Sequence, residues 1–283
     1  MKILILGAYG MLGHKMFQLL RSEYEVYATC RYYREKWETI LPKDRLIQGV
    51  QAEVFDTVLK AFAKVKPNVV INCIGIIKQL DTAKDPILSV NINSLFPHRL
   101  ALLCQSIGSR LIHFSTDCVF SGRKGNYTEN DVSDAEDLYG RTKYLGEVGG
   151  DGCLTIRSSI IGRELDTKNG LVEWFISQKG KSVNGYSNAI YTGFTTNTMA
   201  NIVQNLIFKH KELSGVWHIT SNPISKYDLL KLINKTMNLQ IDIIKDNNFQ
   251  CNRSLNGASF QNKTGFVSPP WKDMIEELKL INI

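Results

Sequence analysis

The sequence predicts a doubly wound, parallel α/β sheet carrying a smaller C-terminal lobe. Three observations lead there. The apolar run Lys2-Ile3-Leu4-Ile5-Leu6 turns directly onto Gly7-Ala8-Tyr9-Gly10-Met11-Leu12-Gly13. Strand-like β-branched runs then alternate with helix-like stretches as far as Gly162. Beyond Gly162 the alternation gives way to spaced amphipathic helices. Alternation of the first kind builds a parallel sheet with right-handed crossovers.

The elements follow in order. Residues 3–6 read as the first strand. The glycines after it have the spacing G-x-x-G-x-x-G, a turn suited to a diphosphate. The first glycine permits the tight turn, the second lets the backbone approach phosphates, and the third lets helix and strand pack closely. The following helix N-terminus offers free N–H groups and a positive dipole end. That helix is expected over 11–21. A strand over 25–30 precedes a charged, aromatic stretch at 31–38, and 46–48 is a short third strand. Residues 52–65 read as a helix. Residues 68–73 form a near-continuous β-branched run, as a strand buried on both faces requires. A long helix over 85–107, a strand over 110–115, a helix over 139–148 and a strand over 154–158 complete the first part.

The second part is expected to hold helices over 171–178 and 197–209, a strand over 215–219, and a helix from an N-cap at Ser225 to about residue 238. One further strand is expected over 240–244. Pro269-Pro270 breaks the chain before a last helix over 271–280. The division is 1–162 for the sheet domain and 163–283 mainly for the lobe, with segments free to return to the first domain. The lobe is expected over the carboxyl edge of the sheet, where ligands bind in open α/β sheets.

Composition narrows the function. The 283 residues suffice for a sizeable core, and 43% hydrophobic with 22% charged residues is the balance of a globular protein. No apolar stretch reaches membrane-spanning length, and Met1 leads straight into the first strand, so the expected address is the cytoplasm, with no membrane partner. The six cysteines are scattered without CxxC spacing and read as reduced core thiols, not a zinc site. The net charge of +7 is spread through the chain, which argues against nucleic acid and is compatible with an electropositive cleft for phosphate-bearing ligands.

Tyr139 and Lys143 lie four apart on a predicted helix and share a face. An ammonium near a phenol favours phenolate and lowers its pKa from about 10, which makes the tyrosine a usable acid/base. Ser115-Thr116 stands between the glycine turn and this pair, at a strand end.

With those residues in view, the chain resembles the extended short-chain dehydrogenase/reductases, and among them the dTDP-4-dehydrorhamnose reductase group. The matching segments are GAYGMLG (7–13), NCIG (72–75), NINSLFPHRLA (91–101), FSTDCVFSG (114–122) and YGRTKYLGE (139–147), followed by RSSIIG (157–162) and NRSLN (252–256). The resemblance implies a Rossmann-type fold and reduction of the C4 ketone of a nucleotide-linked 4-keto-6-deoxy sugar. It implies Tyr139 as proton donor, Lys143 as ligand of the nicotinamide ribose, and Thr116 as hydrogen-bond partner of the substrate C4 oxygen. Ser115 rivals Thr116, since neighbours on a strand point to opposite faces. The implied cofactor set is Gly7, Tyr9, Gly10, Met11, Leu12, Arg31, Cys73, Gly75, Tyr139 and Lys143. Ser115, Thr116, Cys118 and Arg253 form the implied substrate set. Asn93 has two readings, an interior amide bonding backbone or a member of a proton relay. Cys118 stands where many of these reductases carry an aromatic, so it tunes the pocket or has drifted.

Some family members bind a dimer-bridging metal through an acid soon after the third glycine. This chain has His14-Lys15 there, so no metal is expected, and a monomer or weak homodimer is. No acid stands near Thr29-Cys30-Arg31 to grip a ribose 2′-hydroxyl, while Arg31 and Arg34 could pair with a 2′-phosphate. NADPH is therefore the expected cofactor, with NADH tolerated. Two alternatives stand beside this reading: a reductase of UDP-4-keto-6-deoxy-N-acetylhexosamines, and a non-catalytic regulatory subunit of the methionine adenosyltransferase type.

Overall fold

A computed structural model describes residues 1–280. Strand β1 (Lys2–Leu6) leads through the glycine turn into α1 (Gly13–Leu20), then β2 (Glu25–Thr29), β3 (Leu46–Ile47), α2 (Phe55–Val65) and β4 (Val69–Asn72). Helix α3 (Pro86–Ser89), a π-helical stretch (Val90–Leu95) and α4 (Phe96–Ser106) follow head to tail in place of the single helix expected there. Strand β5 (Arg110–Phe114), α5 (Leu138–Leu145) and β6 (Cys153–Arg157) end the first part. The second part comprises β7 (Ile160–Ile161), α6 (Leu171–Ile176), β8 (Ser182–Tyr191), β9 (Phe194–Thr195), α7 (Thr196–Phe208), β10 (Gly215–His218), β11 (Ile224–Ser225), α8 (Lys226–Met237), β12 (Asp242–Asn252), α9 (Ala258–Thr264) and α10 (Trp271–Glu277).

Seven strands form one parallel sheet in the order β10-β6-β5-β4-β1-β2-β3, a Rossmann-type arrangement. The order reverses at β1, between β4 and β2, which opens a crevice above their carboxyl ends. Both faces are covered, so alternation along β1 sorts its side chains into two cores. Ile3 and Ile5 pack with α1, α7 and α10; Leu4 and Leu6 pack with α2 and α4. Strand β10 returns from beyond residue 162 to pair with β6, and α7 lies against α1.

The smaller lobe holds a three-stranded sheet, β11-β8-β12, and the pair β7-β9. The strand expected over 240–244 is instead the long β12, which runs parallel to β8 and is bulged between Asp246 and Gln250. Its end returns to the first domain: the Asn252 N–H donates to the Gly122 carbonyl at 2.7 Å, and the Tyr127 N–H donates to the Ser254 carbonyl at 3.0 Å. Among the described residues, no helix is long and apolar enough to cross a membrane, and no group of three or more His, Cys, Asp or Glu residues is disposed to hold a metal ion.

Candidate active site

The glycine turn is locked by close approach. Gly7 has φ +93°, a conformation side chains rarely adopt. A Cβ on Gly13 would lie 2.0 Å from the Gly7 carbonyl oxygen, so helix and turn touch backbone to backbone. Helix α1 therefore starts at Gly13, not at residue 11, and Met11 and Leu12 belong to the turn. A Cβ on Gly10 would meet the Gly7 carbonyl oxygen at 3.4 Å and nothing nearer, which leaves that side of the turn open. Gly75, after β4, faces the same crevice: a Cβ there would lie 3.5 Å from Asn93 Oδ1 and 4.0 Å from Lys143 Nζ. Cys73 sits between them, its thiol pushed up by burial. Glycines at both points leave a backbone-lined floor that fits a dinucleotide.

Helix α5 carries Tyr139 and Lys143, the pair expected to serve as acid and base. Asp137 caps its N-terminus, accepting from the Gly140 N–H at 2.7 Å, and is itself held by Lys78 Nζ at 2.6 Å. Tyr139 lines the crevice, and burial pushes its phenol well above the ordinary value, with Cys118 adding to the rise and the Thr116 hydroxyl opposing it. Lys143 is buried and donates to the Phe114 carbonyl at 2.6 Å; burial lowers its pKa to about 8, while Glu147 draws it back up. The net shift of Tyr139 is upward, opposite to the lowering expected from Lys143; burial is its largest cause, and the phenol stays protonated.

Thr116 and Ser115 part company, as strand alternation requires. Thr116 caps the short 3-10 turn Asp117–Val119 by accepting from the Cys118 N–H at 3.1 Å; its hydroxyl donates to Asp117 Oδ1 at 3.1 Å and adjoins Tyr139. Ser115 turns away and donates to Glu147 Oε1 at 2.6 Å. Glu147 in turn forms a bidentate pair with Arg157, both contacts 2.7 Å and both side chains buried. Ser115 is thereby spent on this network, which ties the end of α5 to β5 and β6. Asn93 is likewise spent on backbone: its amide accepts from the Ile76 N–H at 2.9 Å and donates to the Ile76 carbonyl at 3.1 Å.

Arg253 reaches the site from the far end of β12. Its Nε donates to the Phe120 carbonyl at 2.8 Å and its Nη1 lies 3.6 Å from Cys118 Sγ. Burial pushes the Cys118 thiol up to about 12, so it remains a neutral pocket wall. Thr116, Cys118, Tyr139, Lys143 and Arg253 are thus brought together at one crevice.

The other end of the crevice differs from expectation. Arg31 is ion-paired with Glu53, and Arg34 with Asp166. Asp166 also takes Lys36 and accepts from Trp37 Nε1 at 3.0 Å. Tyr9 accepts from the Arg34 N–H at 2.9 Å and lies under its guanidinium, 4.9 Å from the ring centre. Sequence reasoning missed Glu53 and Asp166 because they come from segments 22 and 132 residues away, with no local pattern to announce them. Two cavities, of about 530 and 610 Å3, lie against α8 and at the amino edge of the sheet near Arg110; neither contains a residue of this site.

Comparison with known proteins accords with this architecture. The chain is 32% identical over 147 residues to a dTDP-4-dehydrorhamnose reductase of Streptomyces griseus, a match covering 51% of this chain and 43% of that protein. It is 27% identical over 146 residues to methionine adenosyltransferase 2 subunit beta of Rattus norvegicus, covering 52% and 41% respectively. The matches thus span less than half the length of these curated relatives. Its backbone superposes on the crystal structure of dTDP-4-dehydrorhamnose reductase from Bacillus anthracis in complex with NADP with a TM-score of 0.79 at 21% identity, covering 99% of this chain and 98% of that one. The model of the RmlD substrate binding domain matches residues 1–279, and the chain belongs to that family.

Proposed function

We propose that this protein reduces the C4 ketone of a nucleotide-linked 4-keto-6-deoxy sugar, with NADPH as hydride donor and NADH as an accepted substitute. The reading rests on one observation above the others: Thr116, Tyr139 and Lys143 converge beside a glycine-lined floor while Ser115 and Asn93 are consumed by structure. The family and its reductase relatives support it.

The nicotinamide, when bound, supplies hydride to the carbonyl carbon. The protein's part is position, a proton and charge stabilisation. Thr116 would turn its hydroxyl hydrogen from Asp117 Oδ1 to the C4 oxygen and so fix that oxygen near the phenol. Tyr139, kept protonated by burial, gives its proton to the oxygen as charge develops there. Lys143, held by the Phe114 carbonyl, presents its remaining N–H groups to the cofactor ribose and to the region of the phenol. Gly7, Tyr9, Gly10, Met11 and Leu12 would hold the diphosphate at the N-terminus of α1. Cys118 and Arg253 would wall the sugar-nucleotide side.

The test is loss of NADPH absorbance with a panel of dTDP- and UDP-linked 4-ketosugars, run with wild type and Tyr139→Phe. Turnover on at least one dTDP sugar is expected, with a fall of about two to four orders of magnitude in the variant and unchanged cofactor binding. Turnover restricted to UDP-linked N-acetylhexosamines would move the assignment to that class. No turnover on any sugar, together with binding to a methionine adenosyltransferase catalytic subunit, would overturn catalysis in favour of a regulatory role. Variant activity within threefold of wild type would remove Tyr139 as proton donor.

A further inference from the structure

No acid stands between Val26 and Arg34, at the end of β2, but the fold delivers one. After β3 the chain turns back along the end of β2: the Gly49 N–H donates to the Arg31 carbonyl at 3.1 Å and the Val50 N–H to the Cys30 carbonyl at 3.1 Å. That turn carries Glu53 onto the Arg31 side chain, where carboxylate and guanidinium pair. Glu53 Oε1 takes the guanidinium, while Glu53 Oε2 is buried without a hydrogen-bond partner. The arginine side chain is 58% exposed and the glutamate 27%, so Arg31 is the partner free to swing. Arg34 offers no ready substitute, being paired with Asp166 and stacked on Tyr9.

In a doubly wound sheet, the end of the second strand is where the protein meets the adenosine ribose 2′ position, the point at which NADH and NADPH differ. We propose that Glu53 sets the choice between the two cofactors, by withholding Arg31 from a 2′-phosphate and by offering a carboxylate acceptor to a free 2′-hydroxyl. The proposal rests on the dinucleotide reading of the crevice. A 2′-phosphate must draw Arg31 off Glu53 and then lie near a carboxylate of its own sign. A 2′-hydroxyl only exchanges one donor to Glu53 for another, at the Oε1 that Arg31 vacates. The pair therefore levels a preference that Arg31 alone would tilt to NADPH.

The test is calorimetric titration with 2′,5′-ADP and 5′-ADP, which carry the difference without the nicotinamide, on wild type, Glu53→Gln and Arg31→Ala. Glu53→Gln keeps the size and removes the charge. It is expected to tighten 2′,5′-ADP about tenfold, the scale of one charge-assisted hydrogen bond, and to weaken 5′-ADP. Arg31→Ala is expected to weaken 2′,5′-ADP alone. A Glu53→Gln protein that binds both nucleotides with the wild-type ratio overturns the proposal, as does an Arg31→Ala protein with undiminished affinity for 2′,5′-ADP. Wild type binding neither nucleotide overturns the dinucleotide reading itself, a different result from an unchanged ratio.

Discussion

At the scale of single residues, the site is governed by what burial does to charge. Lys143 has a pKa of about 8 in the folded chain against 10.5 for an ordinary lysine. Below pH 8 the group is charged in folded and unfolded chains alike, and the folded chain bears the cost of burying it. Between about pH 8 and 10.5 the unfolded chain still holds a proton that the folded chain has released, so this residue's contribution to stability rises with pH across that window. Lys143→Met should abolish that rise. Denaturation midpoints of the cofactor-free protein at pH 8 and pH 10 provide the check: the wild type should gain on the variant at the higher pH, and an equal difference at both would contradict the shift. The Tyr139–Lys143 pair was legible in the sequence because helical spacing puts both on one face. Their protonation was not, because it depends on walls contributed by Cys118, Thr116 and the Phe114 carbonyl. Glu53 was illegible for a related reason: its role exists only once β3 has been laid beside β2.

At the scale of elements, α5 is positioned by its contact with the π-helical stretch. A Cβ on Gly146 would fall 1.8 Å from the Asn93 carbonyl oxygen and 2.9 Å from its carbonyl carbon, backbone atoms that cannot swing aside. Gly146→Ala must therefore push α5, and Tyr139 and Lys143 with it, away from the crevice. It is expected to destabilise the fold by about 1–3 kcal/mol, as overpacking does, and to cost turnover as well. Gly149→Ala is the control, since its Cβ would meet nothing closer than Gly215 Cα at 3.5 Å. Thermal melts of both variants decide it, and equal melting temperatures would contradict the contact. The strands of the large sheet were legible because burial on both faces demands unbroken β-branched runs, as in β4. Strand β8 was not, because Gly185 and exposed polar positions interrupt its pattern, and β12 was read too short because its Asp-Asn-Asn-Phe-Gln portion faces outward. The π-helical stretch lies where Asn93 meets Gly146 backbone to backbone, a contact that no local periodicity carries.

At the scale of the whole molecule, the two parts are stitched rather than hinged. Strand β10 extends the large sheet, α7 covers α1, and the segment after β12 is pinned to Gly122 and Tyr127. A further tie is at the crevice mouth. Asp166, on the segment after β7, gathers Arg34, Lys36 and the Trp37 indole from the segment after β2. Burial pushes its carboxyl up, but the hydrogen bonds from Lys36, Trp37 and Arg34 win and hold it below the usual carboxylate range. Both tied segments border the glycine turn: Tyr9 accepts from the Arg34 N–H, and a Cβ on Gly170 would lie 3.5 Å from Met11 Sδ. Asp166→Asn keeps an acceptor for Trp37 and removes the two ion pairs. Because one carboxylate holds both segments, amide exchange should quicken over residues 34–38 and 163–170 together, while the buried amides of β1 keep their protection. Faster exchange in only one segment would mean that the other is fixed by its own contacts, Arg34 on Tyr9 or the Glu164 carboxylate on the Asn169 and Gly170 N–H groups, and that Asp166 does not couple them.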